Sequence, residues 1–335
     1  MLSNPEAMKP AISTNNKLGK QIPLFFNKAE ISGRGIDPVD HRQVWMKDRL
    51  RMEAGGNENR KSSRSGSWVS WAMKMFAWGL QATGTFQKGF QNASNIIFRE
   101  QSLVVPSLPN SFNGFTILFL SDLHLDMMPG LERNIAELIW GREFDLCVMT
   151  GDYATASLGG ESESLNALKK IVQAIKSRHG ILGVLGNHDS ARDVFALESI
   201  GMNVLINESY LVEKSGSILQ FIGTDDIRFY TDQIAQVLKK SADQCTIALV
   251  HSPELYDRAA AAGVNVYLCG HTHGGQICLP GGFPVMTNLK RGKPFHTGHW
   301  CYKGMQGITN IGVGTSDLPI RFNTVGEVLS ITLSS

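Results

Sequence analysis

The stretch Phe115-Thr-Ile-Leu-Phe-Leu-Ser-Asp-Leu-His-Leu-Asp126 decides the fold. Phe115 to Leu120 is a near-continuous apolar run, the pattern of a strand buried on both faces of a parallel or mixed sheet. The run stops, and Asp122 and His124 follow two positions apart. In extended chain, residues i and i+2 point to the same side, so a carboxylate and an imidazole leave the strand together. Ligands of open α/β sheets bind at the carboxyl ends of strands. Taken alone, Asp122 could cap a helix and His124 could be solvated; the rest of the chain decides between these readings.

Outward from this stretch, the pattern is regular α/β from Ile96 to the end. Apolar runs predict strands at 96–105, 146–150, 181–185, 204–207, 210–213, 218–222, 246–250, 264–269, 307–313 and 327–333. Helical spacing falls at 131–140, 162–177, 191–200, 230–240 and 254–262. Five of the strands end in polar residues of one chemical kind: Asp122 and His124; Asp152; Asn187 and His188; His251; His271 and His273. Nine histidines occur in the chain, and five of them lie at these ends. Asp152 and Asp189 could each cap a helix, Asn187 could serve a turn, and His251 could sit at the surface. The same apolar context before every motif argues against five separate coincidences.

Two carboxylates, four imidazoles, one amide and no thiolate suit borderline divalent ions such as Mn, Fe or Zn. An all-oxygen set would point to Mg or Ca. Asp152 has two oxygens and can bridge two ions. Two aspartates against two divalent ions leave the site electropositive, which suits an anionic substrate such as a phosphate.

The ordered set Asp122-Leu-His124, Gly151-Asp152, Gly186-Asn187-His188-Asp189, His251 and Gly270-His271-Thr272-His273 resembles the calcineurin-like metallophosphoesterases over about residues 96–335. Gly223-Thr-Asp-Asp226, Gly274-Gly275-Gln276 and Gly312-Val-Gly-Thr-Ser316 before Leu318-Pro-Ile-Arg321-Phe322 are similar to a bacterial, membrane-associated, phosphodiesterase-like branch. The resemblance implies an α/β fold, a two-sheet mixed β-sandwich flanked by helices. It implies that Asp122, His124 and His273 hold one metal, that Asn187, His251 and His271 hold the other, and that Asp152 bridges them. His188 is then catalytic rather than a ligand, contacting the phosphate and protonating the leaving oxygen, with Asp189 orienting it. A hydroxide on the metals would cleave a phosphoester or pyrophosphate bond, and a lipid-linked substrate is attractive within that class. Asp126 departs from the small residue common in relatives and reads as a surface substitution. Arg321 and Lys290-Arg291 read as solvated charges rather than phosphate contacts.

Ahead of this domain, residues 1–66 are polar and Gly/Ser/Asn-rich, and read as a mostly flexible arm with a short helix within 40–52. Residues 67–95 form a Trp-rich helix and linker: Trp68, Trp71, Met75 and Trp78 share helical spacing, with Arg60, Lys61 and Arg64 upstream. That helix either packs on protein or lies at a membrane interface. With 42% hydrophobic and 19% charged residues the chain can build a core, and a net charge of +2 gives no reason to expect nucleic acid. Five cysteines without a C-x-x-C pair fit a reducing compartment. No apolar stretch of 18 residues and no apolar signal core occur, so the expected place is cytoplasmic, peripheral to the inner face of the membrane if bound at all. The competing reading is a catalytically silent scaffold or a peripheral membrane adaptor.

Overall fold

Strand β2, Thr116–Leu120, sits in the middle of a six-stranded sheet and is buried on both faces. A computed structural model describes residues 38–55, 67–156, 158–159, 162–229 and 244–335, all within one compact unit, Gly35–Ser335. The helix expected at 230–240 and the rest of the polar arm lie outside the described residues.

The first sheet runs β1 (Ile96–Val104), β14 (Gly326–Ser334), β2, β3 (Leu146–Met149), β4 (Ile181–Gly183) and β5 (Asn203–Val204). β2 to β5 are parallel, and β14 is antiparallel to β2 but parallel to β1. The second sheet runs β12 (Gly298–Tyr302), β13 (Met305–Thr309), β9 (Val266–Cys269), β8 (Cys245–Leu249), β7 (Ser217–Gly223) and β6 (Glu208–Lys214). β13, β9, β8 and β7 are parallel, with antiparallel strands at both edges.

Side chains alternate across each strand, so one run serves two cores. Ile117 and Phe119 of β2 meet Ile247, Leu249, Val266 and Leu268 of the second sheet between the layers. Leu118 and Leu120 point the other way, towards helices α4 (Leu131–Ile139), α5 (Glu163–Ala174) and α6 (Asp193–Ser199). On the outer face of the second sheet, Ala248, Tyr267 and Cys269 pack with Leu255 and with Ala259 of helix α7 (Tyr256–Ala261). This is the expected two-sheet sandwich. The parallel strands of both sheets end at one edge, and the polar motifs lie there.

The amino-terminal part differs from expectation. Helix α1 spans Pro38–Ala54, and its Trp45 and Arg49 are buried against the domain. A polar composition concealed this because the anchors are charged: Arg42 pairs with Glu198 and Glu208, and Arg49 pairs with Asp225. The packed unit therefore begins well before residue 66. Helix α2, Ser67–Ala82, carries the tryptophans, and the segment expected as linker forms helix α3, Thr85–Ser94. α3 docks by Gly89, where a Cβ would lie 2.8 Å from the Phe322 ring, and by the Arg321 main-chain N–H donating to the Gly89 carbonyl at 2.9 Å. Among the described residues no helix is long and apolar enough to cross a membrane.

Candidate metal centre

Each motif leaves its strand by a sharp turn. The chain is not extended after β2: Asp122 and His124 have φ of 49° and 39°. Asp152, His271 and His273 are also left-handed, at 55°, 72° and 51°. Five of the seven expected ligands thus hold a conformation that costs a non-glycine residue energy, on the order of 1–3 kcal/mol in strained cases. Such strain persists where surrounding bonds over-determine it. Here Asp122 N–H donates to the Gly151 carbonyl (3.1 Å), His124 N–H to the Asp152 carbonyl (3.1 Å), and Gly270 N–H to the His251 carbonyl (2.8 Å). Gly151 and Gly186 let two loops touch backbone to backbone, since a Cβ on Gly151 would lie 2.3 Å from the Gly186 nitrogen.

The side chains form two connected groups. Asp122, His124 and His273 bring one ligand atom each within 4.8 Å of one another, as do Asp152, His251 and His271. Asp152 joins them, its Oδ2 lying 3.6 Å from His124 Nε2 and 3.3 Å from His251 Nε2. Asn187 Oδ1 is 3.0 Å from His251 Nε2, on the side of the second group. His188 also comes within reach of His124 and Asp152, with its ring 5.1 Å from that of His124. It is half-buried, whereas the seven expected ligands and Asp189 are buried.

Donor chemistry fits divalent ions. Asp122 Oδ1 and His124 Nε2 are fully buried yet have no hydrogen-bond partner. Burying such atoms unpaired is costly. His273 Nε2 lies 3.4 Å from Asp122 Oδ1. Two ligand atoms on one ion lie roughly 3–3.5 Å apart for bonds near 2.1 Å. His251 Nδ1 donates to the Thr150 carbonyl at 2.7 Å, which fixes the tautomer and turns Nε2 into the cluster. Burial lowers His124 to about 4 and takes His271 and His273 well below the usual imidazole value, so these rings are neutral. Burial also works against charging His251, but the Asp152 carboxylate outweighs it and raises His251 to about 10. Burial raises Asp122 to about 6; the same effect on Asp152 is overcome by His251, His188 and His124, which hold it well below the carboxylate range. Neutral imidazoles at His124, His271 and His273 with an ionised Asp152 are the forms that ligate metal, whereas His251 must give up a proton, held there by Asp152, before it can do so.

Several residues take roles that the sequence did not show. The Asp189 carboxylate does not reach towards His188. Its Oδ2 accepts from Asp152 N–H and Gly186 N–H, both at 2.7 Å, and its Oδ1 from Tyr153 N–H at 3.1 Å, so it ties two ligand loops together. Burial raises this carboxyl to about 8. Asp126 is exposed, as expected, and also accepts from the N–H groups of Thr155 (2.8 Å) and Ala156 (2.9 Å), while Thr155 Oγ1 lies 3.0 Å from His124 Nδ1. Arg321, expected in solvent, is fully buried and donates to the carbonyls of His273, Ile311, Gly312 and Gly314 at 2.7–3.1 Å. It braces the loops under the cluster. Arg228 Nη2 lies 2.9 Å from His271 Nε2, placing a guanidinium at the second group. The main-chain N–H groups of Lys290 and Arg291 donate to Glu254, and the Arg291 side chain pairs with Asp257.

The family profile of the calcineurin-like phosphoesterases matches residues 115–275, which carry all of these motifs. Residues 115–275 carry the domain of that family. Curated relatives include the uncharacterized metallophosphoesterase YkuE of Bacillus subtilis (strain 168), 29% identical over 70% of this chain and 85% of that protein. The phosphodiesterase YaeI of Escherichia coli (strain K12) is 26% identical over 50% of this chain and 63% of that one. Among solved structures, the phosphopantetheinyl hydrolase PptH of Mycobacterium tuberculosis is 13% identical with a TM-score of 0.37, covering 59% of this chain and 89% of that chain. A 5'-nucleotidase precursor from Thermus thermophilus is 14% identical with a TM-score of 0.38, covering 64% of this chain and 54% of that chain. The matched domain and the clustered candidate ligands support a metal-dependent phosphoesterase.

Proposed function

We propose that the protein hydrolyses a phosphodiester or pyrophosphate bond at a centre for two divalent ions, in a substrate that also bears an apolar or lipid group. The observation that carries the reading is the buried cluster with unpartnered Asp122 Oδ1 and His124 Nε2, built on five left-handed ligand residues. Asp122, His124 and His273 would hold one ion, Asn187, His251 and His271 the other, and Asp152 both. When bound, Mn, Fe or Zn supplies Lewis acidity, lowering the pKa of water and offsetting phosphoryl charge.

The remaining work falls to the chain. Proton transfer falls to His188, a reading supported by its main-chain N–H, which donates to Asp152 Oδ1 at 2.9 Å, and by its half-buried ring beside His124. From there it contacts the phosphoryl group and gives a proton to the departing oxygen. Asp189 serves this by fixing the loop, not by touching the imidazole. Asp126 and Thr155 hold the His124 ring.

Two exposed apolar elements support the apolar part of the substrate and contact with a membrane surface. α2 leaves Trp71 and Trp78 in solvent, and no acidic residue occurs between 67 and 95. The turn after His273 forms a hairpin, β10 (Cys278–Leu279) with β11 (Phe283–Pro284), whose Leu279 and Phe283 are exposed, as are Val285 and Met286 just beyond.

Purified protein titrated with Mn should bind two ions per chain and hydrolyse bis(p-nitrophenyl) phosphate. Asp152→Asn should lower kcat at least about 10³-fold through weakened binding of both ions, and His188→Ala about 10²–10⁴-fold with metal content kept. Absence of metal binding, or turnover no better than that of His188→Ala, would leave the silent scaffold as the reading. Activity on short-chain diesters equal to that on lipid-linked ones would remove the apolar requirement.

A further inference from the structure

We infer that α1, which lies outside the family-matched segment, is a positioning element for the metal centre, acting through Arg49 and Glu53 on the loop that carries Asn187 and His188. The inference rests on the reading of that loop as part of the centre. Arg49 is fully buried on α1, beside Trp45, Met46, Leu50 and Met52, which pack on the core. Its guanidinium pairs with Asp225, its Nη2 donates to the Asp189 carbonyl at 3.0 Å and, more weakly, to the Gly186 carbonyl at 3.4 Å, and its plane stacks 3.4 Å from the Phe229 ring. Gly186 and Asp189 flank Asn187 and His188, so one side chain grips both ends of the segment.

Glu53, one turn further along α1, extends the grip. Its Oε1 accepts from Arg49 Nε (3.1 Å) and from Ala191 N–H (2.9 Å), and its Oε2 from the Ser190 hydroxyl (2.7 Å). Asp225 is held in turn by Trp45 Nε1–H at 2.8 Å, and the same turn leads to Arg228 beside His271. The loop of Asn187 and the turn that sets Arg228 beside His271 therefore refer their position to one helix, and the first group is braced elsewhere, by Arg321 and Asp126. A guanidinium in a fixed fork suits this task, because its donors spread in one plane to two carbonyls and two carboxylates, whereas those of a lysine radiate from one nitrogen.

This asymmetry makes the test selective. In the full-length chain, Arg49→Lys, Arg49→Ala and Glu53→Ala should weaken one of the two Mn sites by about 10-fold or more by calorimetry, leave the other near wild type, and lower kcat more than they raise KM. Arg49→Lys should not rescue Arg49→Ala, whereas Glu53→Gln, which keeps an acceptor oxygen, should recover part of the Glu53→Ala loss. The control is Leu333→Ala: Leu333 is buried at the far end of the sheet, its N–H bonded to the Phe115 carbonyl at 2.9 Å. It should lower Tm while keeping both sites. If Arg49→Ala does not fold, Glu53→Ala decides by the same readouts. Two wild-type-like Mn sites and unchanged kcat in folded Glu53 and Arg49 variants, or equal weakening of both sites, would overturn the inference. Absence of Mn binding by the wild type would instead defeat the functional reading beneath it.

Discussion

α1 and α2 are neighbours in sequence and opposites in how they use their residues. α1 is polar and nonetheless buries Trp45 and Arg49, while α2 is rich in tryptophan and leaves Trp71 and Trp78 65% and 63% exposed. Composition would have ranked them the other way. The difference teaches that hydrophobicity predicts burial only where no specific partner is supplied. α1 has partners: Asp225, Glu198 and Glu208 neutralise its arginines. α2 has apolar surface with no cover among the described residues, which is the state of an element built for an interface.

If that contrast is right, the largest effect should come from isolating the charge under α1. Asp225→Ala leaves the buried Arg49 guanidinium with only the Glu53 carboxylate, on its Nε. Breaking such a pair from one side typically costs about 3–5 kcal/mol. Urea unfolding should show a loss of that order, and Arg49→Met with Asp225→Leu together should recover much of it. A loss under about 1 kcal/mol for Asp225→Ala would mean that α1 docks weakly, and the contrast with α2 would fail.

The next step down is Trp45→Phe. It keeps a buried ring but removes the N–H that donates to Asp225 at 2.8 Å. Hydrogen bonds to charged groups contribute about 1.5–3 kcal/mol, and the same unfolding assay should register that loss. Arg42→Ala should cost less, about 1 kcal/mol, because Arg42, Glu198 and Glu208 are all partly open to water, where exposed pairs are screened. Its loss should shrink further at about 1 M salt, whereas that of Asp225→Ala should not.

The contrast also explains what was legible in the sequence. The sandwich and the cluster could be read because each ligand motif follows an apolar run, and the run reports burial through local periodicity. β2 is a clear case: Ile117 and Phe119 serve one core and Leu118 and Leu120 the other. The bend after β2 was not legible, because Asp122 and His124 are left-handed only through bonds to Gly151 and Asp152, some thirty positions on. Arg321 looked solvated because nothing near it in sequence says that four carbonyls will surround it. α1 was missed for the same reason, with Arg49 and Asp225 lying 176 positions apart. The bonds of Asp126 were not legible either, because its partners are main-chain groups that carry no sequence mark.

The smallest expected effect on stability is the most informative about α2. Trp71→Ser with Trp78→Ser removes two large side chains that are mostly in solvent, so folding free energy should move by about 0.5 kcal/mol or less. A packed helix would behave otherwise, since losing a buried tryptophan costs about 3–5 kcal/mol. The same double variant should lose flotation with vesicles containing anionic phosphatidylglycerol, because tryptophan at the headgroup level supplies most of the interfacial attraction. Lys74 and Lys88, with no acidic residue between 67 and 95, should make the wild-type binding weaken as salt rises. A large loss of stability would assign α2 to protein packing like α1. Unchanged stability with unchanged flotation would leave the exposed tryptophans for a partner other than lipid, and would withdraw the membrane surface from the functional proposal without touching the metal centre.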